Sequence, residues 1–209
     1  MKLVSESFAD NQPIPGQYAF CIPHERDHVC LGANHNPQLA WSDLPAGTQS
    51  LVLICHDPDV PTVGDDVNKP GRVVPASLPR QDFYHWVLID LPPEPAQIKA
   101  GEFGNEVIPG GKPGPEAERG ARHGVNDYTA WFAGDEGMKG DYHGYDGPCP
   151  PWNDEIAHRY IFTLYALDIA KLPLAGRFRG PDVLRAIEGH VLGKAMLMGR
   201  YALNPAVKL

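Results

Sequence analysis

The chain has 209 residues, a formal net charge of −8, and 22 prolines and 22 glycines spread along its length. This length suits one domain over residues 1–209 with a core that needs no staples, and the frequent turns exclude a helical bundle. The acidic balance argues against a nucleic-acid partner. Because no apolar run is long enough to cross a bilayer and no signal-peptide pattern begins the chain, we expect no stable membrane insertion and a cytoplasmic location.

The N-terminal forty residues are typical of short strands and loops. They contain Cys21, His24, His28 and Cys30, which are residue types that bind soft metals. Zinc ligands usually come in pairs from two separate elements, whereas these four lie in one stretch, so the sequence predicts no metal site. Cysteines are also too few for a disulfide-stabilised scaffold. We predict that the four cysteines of the chain are all free thiols, namely Cys21, Cys30, Cys55 and Cys149.

The chain is organised around an apolar run, Leu51–Cys55, typical of a strand buried on both faces. Pro58 and Pro61 follow it and cannot donate to a sheet ladder, which predicts that the strand ends after Cys55. Asp57 and Asp59 would then lie on a stiff loop at the end of a core strand, which is where binding sites are often built.

Further elements follow in chain order. Gly64, Pro70 and Gly71 mark residues 62–82 as a long surface loop, and the glycine-rich stretch after Ile108 lacks the Lys-Ser or Lys-Thr ending of a phosphate-binding loop. The sequence predicts a core strand at 82–91, a further strand at 125–132 and a central strand at 158–168. A helix is predicted to begin at Gly180-Pro181-Asp182. Its apolar face, at helical spacing, would comprise Val183, Leu184, Ile187, Val191, Ala195 and Met198.

Four motifs at predicted strand ends occur in a specific order. They are Asp57-Pro58-Asp59-Val60-Pro61, His85 in an apolar strand, Tyr145-Asp146-Gly147-Pro148-Cys149-Pro150-Pro151, and His158-Arg159-Tyr160. With them, the stretch from Asn36 to Ser50 and the strand from His158 to Asp168 resemble the phosphatidylethanolamine-binding protein family, also called the Raf kinase inhibitor protein family, in its bacterial branch.

This resemblance implies a mostly β fold, in which a central antiparallel sheet packs on a smaller sheet with helical elements at the C-terminal end. It also implies a cis peptide before Pro61 and a small pocket at the end of the sheet for phosphate, acetate or phospholipid head groups. The implied pocket residues are Asp57, Pro58, Asp59, Pro61, His85, Tyr145, Gly147, Pro150, Pro151, His158 and Tyr160.

Physical chemistry makes such a pocket plausible without a cofactor. Two histidines with reference pKa values near 6.5 can carry positive charge beside an anion, and Asp57 can orient His85 or His158 through a ring N–H. Tyr160 and the backbone N–H groups of Gly147 and Cys149 are further donors, while Trp86 and the prolines would form a dry rim. Because a nearby carboxylate repels an anion, weak binding is expected.

Three functions compete. The leading hypothesis is a non-enzymatic protein that binds a small anionic or phosphorylated ligand. The alternative is a hydrolase that uses Cys149 with His85 or His158, although a thiol near Asp57 and Asp59 would form a thiolate poorly. The third is an inhibitor of a kinase or other enzyme, for which only loop 62–82 offers a binding segment. The resemblance also allows a homodimer.

Overall fold

The computed structural model describes residues 1–209 and is built on a central six-stranded sheet. In spatial order its strands are β2 (Gln12–Pro13), β11 (Val191–Tyr201), β10 (His158–Leu167), β6 (Ser50–Pro61), β7 (Arg80–Leu91) and β9 (Arg122–His123). Neighbouring strands run antiparallel, except β2 and β11, which are parallel. This is the mostly β architecture that the sequence predicts.

The remaining elements surround the central sheet. A three-stranded sheet contains β1 (Lys2–Val4), β5 (Leu39–Ser42) and β8 (Gln97–Ile98), and a separate hairpin contains β3 (Cys21–His24) and β4 (His28–Leu31). The two α-helices are short: α1 spans Tyr128–Trp131 and α2 spans Gly180–Ala186. No helix has the length and apolar character needed to span a membrane.

The central sheet is buried on both faces. Along β6, Leu51, Leu53 and Cys55 face the larger of two apolar clusters, while Val52 and Ile54 face the smaller one beneath α2. All five side chains are essentially inaccessible to solvent. This double burial explains why the run contains no polar position, and it confirms the interpretation of Leu51–Cys55 as a core strand.

The prediction that this strand ends after Cys55 was wrong. β6 continues to Pro61, which pairs with Arg80 of β7, and the pairing register shifts between Asp57 and Val60. The irregularity accommodates Pro58, because a bulged residue needs no ladder hydrogen bond. The cis peptide expected before Pro61 was also wrong: the cis bonds precede Pro95 and Pro115.

The predicted C-terminal helix is shorter than expected. α2 begins where the Gly-Pro-Asp motif indicates, and the Asp182 carboxylate accepts a hydrogen bond from the backbone N–H of Arg179. It ends at Ala186, since Gly189 then takes a positive φ of 81° and the chain continues as β11. Val191, Ala195 and Met198 fit helical spacing, but pairing with the long strand β10 outweighs that weak preference.

The strand predicted at residues 125–132 was wrong as well. The Asn126 side chain accepts a hydrogen bond from the backbone N–H of Tyr128, and the Asn126 carbonyl accepts one from Thr129. These local bonds turn the backbone into α1. The turn is fixed from the other side by Asp127, whose carboxylate binds the backbone N–H of Tyr84 in β7.

Candidate functional site

A cavity of about 470 Å³ opens at the end of the central sheet. Eight of the residues predicted from sequence line it together: Asp57, Pro61, His85, Cys149, Pro150, Pro151, His158 and Tyr160. They come from β6, β7, β10 and the 145–151 loop, elements that are far apart in the chain. The antiparallel pairing of β6 with both β7 and β10 brings these strand ends to one place.

Three other predicted residues are outside this lining and have packing roles. Trp86 packs in the core, with its ring edge-on to Tyr145 at a centroid distance of 5.6 Å. The Tyr145 hydroxyl donates a hydrogen bond of 2.6 Å to the Tyr18 carbonyl, and Pro58 occupies the irregular part of β6. These residues hold the walls of the cavity without reaching its interior.

Asp59 also lies outside the lining. Its carboxylate accepts hydrogen bonds from the Arg159 backbone N–H, Nε and Nη2 at 2.8–2.9 Å. Burial raises the pKa of Asp59, but the Arg159 hydrogen bonds lower it by more, so the pKa ends below its usual value. The pair therefore fastens the end of β6 to the beginning of β10.

His158 forms the floor of the cavity between two carboxylates. Its Nδ1 lies 2.7 Å from Asp57 Oδ2 and its Nε2 lies 3.1 Å from Asp154 Oδ2, and the ring is fully buried. Burial alone would lower the pKa of His158, but the two carboxylates raise it to about 9. Both ring nitrogens therefore carry protons at neutral pH, and both are already used.

The expectation that Asp57 orients His158 agrees with this geometry, but no ring nitrogen of His158 is left for a ligand. Asp154 was not predicted from the sequence, and it also forms a two-pronged ion pair with Arg80. Asp154 precedes His158 by four residues in a turn, where an acidic residue is usually explained as local capping. Only the three-dimensional position of Arg80 on β7 shows that Asp154 also links distant strands.

His85 is the other histidine of the cavity, and it is held differently. Its Nδ1 lies 2.8 Å from the backbone carbonyl of Asp146. Because a carbonyl oxygen only accepts, Nδ1 carries the proton. Burial lowers the pKa of His85, so the ring is neutral at neutral pH. Nε2 has no hydrogen-bond partner within the chain and is the nitrogen left for a ligand.

Tyr160 supplies the second unpartnered polar atom beside the cavity. Its hydroxyl is buried and forms no hydrogen bond within the chain, although leaving such a group unpaired costs about 1–3 kcal/mol. Burial raises the pKa of Tyr160 well above its usual value, and the nearby Asp57 carboxylate adds to this rise through its negative charge and its closeness to the hydroxyl, although the two groups do not meet at hydrogen-bond geometry. The hydroxyl is therefore a neutral donor, and the Tyr160 ring packs edge-on against His85 at a centroid distance of 5.1 Å.

The wall of the cavity is largely apolar. Phe20 stacks on Tyr128 at a centroid distance of 4.5 Å, and Tyr128 stacks on Phe132 at 5.5 Å. Trp131 and Met138 form the outer part of this wall, and 55% of Trp131 is exposed. Val63, Val67 and other residues of the loop after β6 also line the cavity.

That loop, within residues 62–79, is fastened to the segment beside His158. The Asn153 side-chain amide donates hydrogen bonds to the backbone carbonyls of Asp66 and Arg72 at 2.8 and 3.0 Å. Its oxygen accepts from the backbone N–H of Asn68 at 2.9 Å. Asn153 was not predicted from the sequence. Together with the bonds from the Trp152 backbone N–H to the Asn68 side chain and from the Ala76 backbone N–H to the Glu155 carboxylate, it makes the loop a fixed side of the cavity.

The prediction of four thiols was wrong for two cysteines. Cys21 and Cys149 form a disulfide across 128 residues, while Cys30 and Cys55 are free. Cys21 is therefore not a free metal ligand, and Cys149 is not a free nucleophile, so the hydrolase alternative loses the thiol on which it depends. A disulfide is typical of oxidising compartments, so it gives no support to the expected cytoplasmic location.

Gly147 was predicted to offer its backbone N–H to a ligand, but that N–H donates to Asn34 Oδ1 at 2.8 Å. A Cβ at Gly147 would lie 2.1 Å from the Tyr18 carbonyl oxygen. We therefore expect Gly147→Ala to lower the free energy of unfolding by about 1–3 kcal/mol, measured by urea unfolding. Gly134→Ala is the control, since nothing lies near its Cβ position; equal stabilities of the two variants would contradict the packing role.

The chain matches a family model along most of its length. The model is described as phosphatidylethanolamine-binding protein and matches residues 4–202. A protein named UPF0098 from Methanothermobacter thermautotrophicus is 33% identical over 201 residues, covering 96% of this chain and 98% of the relative. The Escherichia coli UPF0098 protein YbhB is 28% identical and covers 97% of this chain and 100% of its own length.

Two solved structures share the fold. One, named a phosphatidylethanolamine-binding protein homologue, CT736 from Chlamydia trachomatis, has a TM-score of 0.64 and 29% identity, covering 96% of this chain and 95% of its own. Escherichia coli YbcL, described as a member of the mammalian family of these proteins, has a TM-score of 0.67 at 22% identity, with coverages of 96% and 97%. The match over residues 4–202, with the 33% identity to the Methanothermobacter protein, shows that the chain belongs to the phosphatidylethanolamine-binding protein family.

Proposed function

We propose that this chain is a non-enzymatic binding protein whose cavity holds a small anionic group, such as a carboxylate, a phosphate or a phospho-head-group. One observation carries the proposal: the floor of the cavity has two polar atoms without protein partners, His85 Nε2 and the Tyr160 hydroxyl. An oxygen of the ligand would accept from the Tyr160 hydroxyl, and His85 would donate to it once its ring is protonated.

The charge for an anion comes from His85 rather than from His158. The charged groups around His85 are Asp57 on β6, His158 on β10 and Asp127 before α1. Asp127 is paired with Arg179, and Asp57 with His158. The floor of the cavity therefore has little net charge, and protonating His85 adds one positive charge where the ligand binds.

We therefore expect His85 to take up a proton when an anion binds. The pKa of His85 is lowered by burial, and a bound anion stabilises the protonated ring and raises that pKa. Affinity then rises as the pH falls towards and below 6 and weakens at higher pH. The family's description names phosphatidylethanolamine, whose phosphodiester carries one negative charge, in agreement with a site that supplies one positive charge.

The test is an NMR titration of acetate, phosphate and phosphoethanolamine at pH 6 and pH 8. We expect saturable shifts at pH 6 that weaken several-fold at pH 8. Tyr160→Phe, which removes only the unpartnered oxygen, should weaken binding without loss of stability, and His85→Gln should abolish the pH dependence.

Tyr165→Phe is the matched control, because Tyr165 lies on the same strand but packs on the opposite face of the sheet. It should leave the affinities unchanged. The absence of saturable shifts at both pH values would overturn the proposed function. Binding that neither the pH nor the Tyr160→Phe change affects would overturn the assignment of these two residues.

A further inference from the structure

The cavity is much larger than the anionic group at its floor. An acetate or phosphate ion has about the volume of two or three water molecules, each about 30 Å³ in the liquid. The cavity volume of about 470 Å³ instead lies in the range of sites for drug-sized molecules. A ligand that fills this space must carry a body beyond its charged group.

The lining shows what kind of body fits. The stacked rings of Phe20, Tyr128 and Phe132 form one side, and Phe83 meets Tyr128 edge-on at a centroid distance of 5.2 Å and an angle of 80°. Aromatic side chains favour offset-stacked or edge-on aromatic partners. Trp131 and Met138 continue this wall outward, and both ring faces and thioether sulfur attract aromatic groups.

The charges around the floor limit the charge of the ligand. Each fixed charge there already has a partner: Asp57 and Asp154 with His158, Asp154 also with Arg80, and Asp59 with Arg159. Asp57 and Asp154 are thus balanced by the two cations His158 and Arg80. Asp59 is balanced by Arg159. Protonated His85 adds one positive charge, which balances one negative charge and no more.

We propose that the cavity binds an amphipathic aromatic monoanion, which is an aryl-substituted carboxylate or a singly ionised aryl phosphate. This inference rests on the proposed anion site. The anionic group binds His85 Nε2 and the Tyr160 hydroxyl, and the aromatic body lies along Tyr128 and Phe132 towards Trp131. A second negative charge would face Asp57 without a cation to balance it.

The test compares ligands that share a head and differ in body, by calorimetric titration at pH 6. We expect 3-phenylpropionate to bind about tenfold more tightly than propionate and more tightly than 3-cyclohexylpropionate. Trp131→Ala should reduce the ratio of the first two affinities at least about threefold. Met196→Ala, at an exposed position of β11 away from the cavity, is the control and should leave the ratio unchanged.

Phenyl phosphate tests the limit of one charge. Its second ionisation occurs near pH 6, whereas 3-phenylpropionate stays singly charged from pH 6 to pH 8. The affinity for phenyl phosphate should therefore fall more steeply over this range, and parallel pH profiles would overturn the charge limit. If 3-phenylpropionate binds no more tightly than propionate, or if 3-cyclohexylpropionate binds as tightly as 3-phenylpropionate, the preference for an aromatic body is overturned while the anion site stands. If no ligand binds, the proposed function fails too.

Discussion

Replacing Cys21 and Cys149 together by alanine is expected to lower the free energy of unfolding by about 3–5 kcal/mol. The disulfide joins residues 128 positions apart and closes most of the chain into one loop. Without it the unfolded chain gains conformational freedom, because loop-closure entropy grows with the number of residues enclosed. Urea unfolding of the oxidised protein and the double variant measures the difference.

The same experiment distinguishes the disulfide from general effects of losing a cysteine. Cys30→Ala changes an exposed free thiol and should alter the stability little. Adding a reductant should destabilise the wild-type protein and leave the double variant unchanged. A loss below about 1 kcal/mol in the double variant would show that the loop is restrained in the unfolded chain by other means.

The second large effect expected is a loss of stability at alkaline pH through His158. Its pKa rises from an ordinary 6.5 to about 9 between its two carboxylates, which corresponds to roughly 3 kcal/mol of stabilisation. The sign follows from the raised value: the contribution is complete below pH 6.5 and is lost as the pH rises through about 9. Unfolding measured by urea between pH 6 and pH 9.5 should show this decline.

His158→Gln should be less stable at pH 7 and should lack the decline between pH 7 and pH 9.5. His190→Gln is the control, because His190 pairs with Asp168 at a far more exposed position. Should the first variant fail to fold, the titration of the wild-type His158 ring by NMR decides the matter directly. Titration at or below pH 6.5 would refute the charged floor of the cavity.

Much of the central sheet was predictable because its strands carry their own pattern. β10 alternates so that His158, Tyr160 and Phe162 are buried while Arg159 and Ile161 are less so, as the sequence predicts. β7 was recognised from its aromatic and β-branched residues. β11 was missed because Val191, Ala195 and Met198 satisfy helical spacing equally well, and only its neighbour β10 determines the choice.

The cavity was predictable in part, for a related reason. Motifs placed Asp57, His85, His158 and Tyr160 at strand ends, and the sheet brings them together. Partners that depend on distant segments were not predictable. Cys149 pairs with Cys21 across 128 residues, and the loop after β6 is held by hydrogen bonds to Asn153 and its neighbours, which lie about 80 residues further along the chain.

The linked carboxylates and cations beneath the cavity have a consequence for protein engineering. Arg80, Asp154, His158 and Asp57 form one continuous chain of ion pairs. The effects of substitutions within such a chain on stability are non-additive, since removing one member leaves the buried charges of its neighbours unpaired. A redesign of the binding preference should therefore leave this chain intact and vary only positions such as Trp131, Met138 and Val63, where the wall meets solvent.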